Sequence, residues 1–126
     1  MAKSNQKEPK NDPGLPLIEY TTNWNGKLFT NAVTTIRLWQ PNKYVVGRDY
    51  RFIQIQKMSV NTDWGQWKLV QAKPIQLIDV DDYIGYLDTG YSGEATQEIM
   101  RKMYTGKVKD IETAWFGLYL LVKQFK

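Results

Sequence analysis

Residues 31–51 read NAVTTIRLWQPNKYVVGRDYR, from Asn31 to Arg51. The β-branched and aromatic run Val33 to Trp39 predicts a strand, and Pro41-Asn42 ends it. Gly47-Arg48-Asp49 makes a second turn, and another strand begins at Tyr50. Successive strand side chains alternate, so Thr35 and Arg37 share one face and Ile36 takes the other. An arginine is almost never fully buried without a partner. Arg37 therefore needs either an aspartate from residues 79–88 or an anionic ligand.

Working outward, Leu15 to Tyr20 predicts a first strand, with Pro16 confining it to an edge or a strand start. Residues 21–31 carry Asn23, Asn25 and Gly26 and predict a loop with a short helical turn. Asp49 to Lys57 predicts a strand with two mixed faces. The cluster Asn61-Thr62-Asp63-Trp64-Gly65 predicts a turn, joining strands 50–58 and 66–73 in a hairpin. Pro74 interrupts that ladder, which resumes over Ile75 to Val80.

Asp81 to Leu87 predicts a short helix. Ser92 to Tyr104 predicts the main one, with Ser92 as N-cap, Glu94 in the first turn, and Arg101 and Lys102 in the last. Thr113 to Phe125 predicts the closing strand. Five or six mostly antiparallel strands with one main helix and short helical turns define an α+β protein built as a small β-barrel. Ile36, Ile53, Ile55, Val70 and Leu120 are the expected core. The polar stretch of residues 1–14 reads as a disordered tail, leaving residues 15–126 as a single domain.

The chain has no cysteine and no histidine. That excludes disulfides, thiolate nucleophiles, the common zinc sites and histidine acid–base chemistry, so no metal or cofactor is expected. No apolar run reaches the ~20 residues of a membrane-spanning helix. The polar N-terminus lacks the apolar core of a signal peptide, and a cytoplasmic protein is expected. The net charge of +4 is unevenly spread. Lys43, Arg48, Arg51 and Lys57 make residues 41–57 basic. Asp79, Asp81, Asp82, Asp88 and Glu94 make residues 79–94 acidic, and residues 95–126 are basic again. A fold that joins the basic segments would attract phosphate backbones; a solvated mixed-charge surface is the alternative.

The order Thr35-Ile36-Arg37, then Tyr44, then Val46-Gly47-Arg48-Asp49 resembles the opening of an ASCH domain, a family of the PUA-like superfamily. Here Arg48 is inserted between the Gly and Asp of the family's turn. The acidic turn Asp79 to Asp82, the loop Asp88 to Ser92 and the following helix are similar to later family elements. The resemblance implies a PUA-like barrel with a cleft between barrel and helix, lined by the Thr35 and Arg37 face. It implies RNA or single-stranded nucleic acid as the partner, including a modified base.

One branch of the family resembles amidohydrolases that deacylate modified cytidine. Their pattern places a lysine three residues before the nucleophilic threonine and a glutamate before the helix. Thr35 matches the threonine, but Ala32 and Thr89 stand at the other two positions. Lys27 and Asp88 lie nearby in sequence, so a hydrolase or ribonuclease would draw on Thr35, Lys27 and Asp88, with Tyr44 and Tyr91 as further candidates.

The nucleic-acid reading selects cations for phosphates and aromatics for stacked bases. Its residues are Thr35, Arg37, Lys43, Tyr44, Arg48, Arg51, Trp64, Trp67, Tyr91 and Ser92. Trp64 and Trp67 flank Gly65, where exposure for stacking and packing in the core are both open. Trp39 and Trp115 are expected in the core. A protein-interaction domain with no small ligand is a further alternative.

Overall fold

A computed structural model describes residues 14–125. The predicted tail of residues 1–14 lies outside the described residues except for Gly14. Five strands form one sheet: β1 (Leu17–Tyr20), β2 (Ala32–Leu38), β3 (Asp49–Gln54), β4 (Thr62–Ile75) and β5 (Phe116–Lys123). Their spatial order is β1-β3-β4-β5-β2. β1 pairs with β3 in parallel, and every other pairing is antiparallel. The sheet curls into a half-barrel, an open form of the small barrel expected from the sequence. β1 and β2 are its two open edges.

The predicted hairpin turn is displaced. Residues 55–61 turn the chain, and β4 runs on through Trp64 and Gly65. Gly65 has φ 90°, and the β3–β4 register slips between Phe52 and Ile53. The glycine therefore serves a bulge, which needs the same positive φ that a turn does. Pro74 does not break the strand either. Beyond Lys68, β4 has left β3 and pairs only with β5. One edge is open there, and a residue without an N–H is tolerated on it. Residues Leu77–Asp79 form a 3₁₀ turn where the strand was expected to resume.

The helices fall close to expectation. A 3₁₀ turn covers Trp24–Phe29, and α1 (Asp82–Asp88) is the short helix. α2 (Gly93–Tyr104) is the main helix, and the Ser92 side chain accepts from the Ala95 N–H at its start. α1 and α2 meet closely at two glycines. A Cβ on Gly85 would stand 2.7 Å from the Ser92 carbonyl, and one on Gly93 would stand 2.5 Å from the Asp81 backbone. This tight corner fixes the end of α1, where Asp88 sits. No helix of the described residues is long and apolar enough to cross a membrane.

Two apolar clusters hold the fold. One face of the half-barrel buries Ile18, Tyr20, Val33, Tyr50, Phe52, Trp67, Leu69, Tyr119 and Leu121. The second cluster joins Ile75, Leu77, Val80, Met100 and Phe116, with Ile36, Leu38 and Leu118 packed against it. Ile36, Ile53, Ile55, Val70 and Leu120, expected in the core, are each only half-buried. Alternation gave the two faces of β2 correctly, but the fully buried one carries Val33 and Thr35. Trp115 also departs from expectation: it precedes β5, which starts at Phe116, and is 54% exposed. Trp39 is half-buried and stacks on Tyr119 at 6.1 Å with the rings 2° apart.

Candidate functional site

A cleft of about 430 Å³ opens where the half-barrel fails to close. Its walls come from β1 (Glu19, Tyr20), β2 (Thr35, Ile36, Arg37) and α2 (Thr96, Ile99, Met100, Met103, Tyr104). Trp24, Lys27, Ile55, Asp88 and Lys107 complete the lining.

Lys27 is held by the 3₁₀ turn and is 6% exposed. Its Nζ donates to Asp88 Oδ1 at 2.8 Å and to the Thr34 carbonyl at 2.6 Å. Thr34 Oγ1 donates to the same Asp88 oxygen at 3.1 Å. Asp88 is itself buried. Burial pushes the Lys27 ammonium below its ordinary range, and the Asp88 carboxylate recovers part of that. The pair is a buried, well-satisfied ion pair joining the 3₁₀ turn, β2 and α1. Beside it, Thr89 and Thr96 share a hydroxyl–hydroxyl bond of 2.7 Å that ties the end of α1 to α2.

Arg37 is held differently. Its Nε donates to Thr35 Oγ1 at 3.1 Å, and its Nη2 donates to the Glu19 carbonyl at 2.7 Å. The side chain thus spans from β2 to β1 across the open seam, with its guanidinium 4.9 Å from the Tyr20 ring centroid. Both acceptors are neutral, and Arg37 makes no ion pair with a carboxylate among the described residues. The aspartate partner that the sequence offered, Asp88, is taken by Lys27.

The sequence-selected residues divide sharply. Thr35, Arg37, Lys27 and Asp88 meet in the cleft. Tyr91 is 51% exposed and packs edge-on against Trp24 at 6.2 Å, beside the cleft lining. Ser92 is occupied in capping α2. Arg51 is buried and pairs with Asp63 at 2.8 Å. Trp67, a stacking candidate in the sequence, takes the core alternative: it is fully buried and stacked on Phe52 at 4.6 Å. Trp64 is half-buried, its indole donating to Gln54 Oε1 at 3.0 Å. Tyr44 is buried against Tyr119. Lys43 and Arg48 are exposed on the loop before β3, at the opposite end of that strand from Ile55 and the cleft.

Tyr20, Trp24, Thr34, Tyr104 and Lys107 were missed. Three of them carried a sequence signal: Tyr20 as the same-face partner of Ile18 at a strand end, Trp24 as a loop tryptophan, and Thr34 as the hydroxyl beside Thr35. The described residues contain no cluster of three or more acidic side chains placed to share a metal ion. Comparison of the chain with family models, with curated proteins and with solved structures finds no match.

Proposed function

We propose that the cleft binds a single nucleotide of RNA or single-stranded nucleic acid, a modified base included. The observation that carries this reading is Arg37, a half-buried guanidinium without a carboxylate partner among the described residues, opening on a cleft of about 430 Å³. That volume lies within the range of small-ligand sites. A guanidinium suits a phosphate because its fork pairs two oxygens at once. The aromatic walls at Tyr20, Trp24 and Tyr104 offer faces for a base. A cytoplasmic setting and a PUA-like architecture belong to the same reading.

The test is a titration against RNA, single-stranded DNA and duplex DNA at several salt concentrations. Binding to single strands should weaken with salt by ~0.7 log units per log unit for each phosphate held. Equal affinity for all three, or none for any, defeats the reading.

The Lys27–Asp88 pair favours one second reading, an amidohydrolase with Thr35 as nucleophile. Lys27 then takes, from another element, the part of the lysine missing at Ala32. Asp88 takes that of the glutamate missing at Thr89. In that chemistry the Thr35 oxygen attacks an amide carbonyl, the amine leaves with a proton, and water hydrolyses the ester. Against it, the described partner of Thr35 Oγ1 is Arg37. Release of acid from an N-acylated cytidine, abolished in Thr35→Ala, would establish it.

A further inference from the structure

Tyr20 ends β1 with its ring packed on Phe52 at 5.1 Å and is 5% exposed. Its hydroxyl is buried and has no hydrogen-bond partner among the described residues. Such groups are rare in folded proteins and call for a reason. Burial pushes this phenol up to about 12, while the nearby Arg37 charge and Thr35 hydroxyl pull it back. Among the described residues the hydroxyl makes no well-formed hydrogen bond, although the Thr35 and Arg37 side chains lie close enough to act on it.

Its neighbours are also donors in excess. A guanidinium carries five N–H groups, and among the described residues Arg37 makes well-formed bonds to Thr35 Oγ1 and the Glu19 carbonyl. Thr35 Oγ1 accepts from Arg37 and keeps its own proton to give. The one carboxylate that the cleft holds in an ion pair is Asp88, and it belongs to Lys27. Three donor-bearing side chains, and one charge with no carboxylate paired to it among the described residues, converge on this corner of the cleft.

We infer that Tyr20, Thr35 and Arg37 form an oxyanion subsite that takes a phosphate or carboxylate group of the ligand, with Arg37 as its cover. The guanidinium lies over the Tyr20 ring and is tied to β1 by an exposed bond to a neutral carbonyl. Charge-assisted bonds to an anion are stronger than that bond. An arriving oxyanion exchanges with the Glu19 carbonyl, draws the guanidinium off the phenol and opens the Tyr20 hydroxyl to the anion. The subsite rests on the cleft reading above; where that reading holds, the anion is the nucleotide's phosphate.

The test is an NMR titration of the intact protein with inorganic phosphate, with acetate, and with a nucleoside against its 5′-monophosphate. Phosphate or acetate should shift the Arg37 side-chain Nε resonance, and the monophosphate should bind more tightly than the nucleoside. Tyr20→Phe keeps the ring and removes the donor, so anion affinity should fall about tenfold, the scale of one hydrogen bond to a charged group. Arg37→Lys keeps the charge without the fork and should also weaken binding; it serves as the second variant if Tyr20→Phe does not fold. Unchanged anion affinity in a folded Tyr20→Phe protein overturns the subsite, as does wild-type protein that binds neither anion. Anion binding that needs Tyr20, with no affinity for any nucleic acid, upholds the subsite and ends the nucleic-acid reading.

Discussion

Two arginines on neighbouring sequence elements meet opposite fates. Arg51, on β3, is buried and forms an ion pair with Asp63. Arg37, on edge strand β2, holds neutral oxygens alone among the described residues. The same contrast runs through the regions around them. Between residues 43 and 67 the structure consumes most of what looked functional: Tyr44 and Trp67 fill the core and Trp64 pairs with Gln54, while Lys43 and Arg48 stay exposed away from the cleft. In the cleft it leaves donors over. A polar or aromatic residue signals function only when the fold has not already satisfied it, and satisfaction is a property of the tertiary structure.

The largest effect belongs to the buried pair at the back of the cleft. Breaking a buried ion pair on one side costs about 3–5 kcal/mol, because the other charge is left uncompensated. Lys27→Ala and Asp88→Ala should each melt far below the wild type. Replacing both by Met and Leu should recover most of the loss, since an apolar pair of similar volume is often no worse. Thermal unfolding of the three variants decides it. Single variants that melt like the wild type would show that Lys27 and Asp88 are not a structural unit.

The next effect separates the two arginines directly. Arg51→Ala strands Asp63, which is 44% exposed at its side chain and partly recovered by water. A loss of about 1–3 kcal/mol is expected, with nucleic-acid binding unchanged. Arg37→Ala leaves no charge unpaired and should stay within about 1 kcal/mol of the wild type. Its binding should weaken, and its salt slope should drop by ~0.7, one phosphate contact on a single strand. Lys43→Ala and Arg48→Ala lie away from the cleft and should leave that slope unchanged. Denaturant melts and salt titrations on the four variants test the contrast. A destabilised Arg37→Ala with unaltered affinity would reverse it.

The sequence carried most of the strands, because β-branched runs such as Val33 to Trp39 have few other stable uses. It misplaced the hairpin because Gly65 reports only a positive φ, which a bulge and a turn both require. Pro74 misled in the same way: its missing N–H matters only where a neighbouring strand expects it, and β3 has ended by then. The Thr35 and Arg37 face of the cleft was legible from alternation. The Lys27–Asp88 contact was not, since it joins a 3₁₀ turn to a helix end 61 residues away. Nor was the choice of core face: β2 offers Ile36 and Leu38 on one side and Val33 and Thr35 on the other, and both sides are covered to some degree. Which side is sealed depends on the curl of the sheet.

The smallest effect concerns Tyr20 and sharpens the cleft half of the comparison. Its phenol is raised to about 12, first by burial, and Tyr119 is raised to about 12 for the same first reason. A folded value above the unfolded one means that the folded state holds its proton more tightly. The resulting stability is fully present below pH 10 and is lost as pH rises from 10 toward 12. Lys27 runs the other way: its lowered value adds stability as pH rises toward its ordinary range. That contribution is common to wild type and Tyr20→Phe, so it cancels in the difference between them. Tyr20→Phe should therefore unfold less steeply between pH 10 and 12, by the share of one proton. Near pH 7 the variant should match the wild type or exceed it slightly, because it removes a buried donor with no well-formed hydrogen bond among the described residues. Absorbance titration of tyrosinate should show one fewer late-ionising group in the variant. If Tyr20→Phe instead loses stability at pH 7, the hydroxyl has an internal partner, and the cleft is as fully satisfied as the region around Arg51.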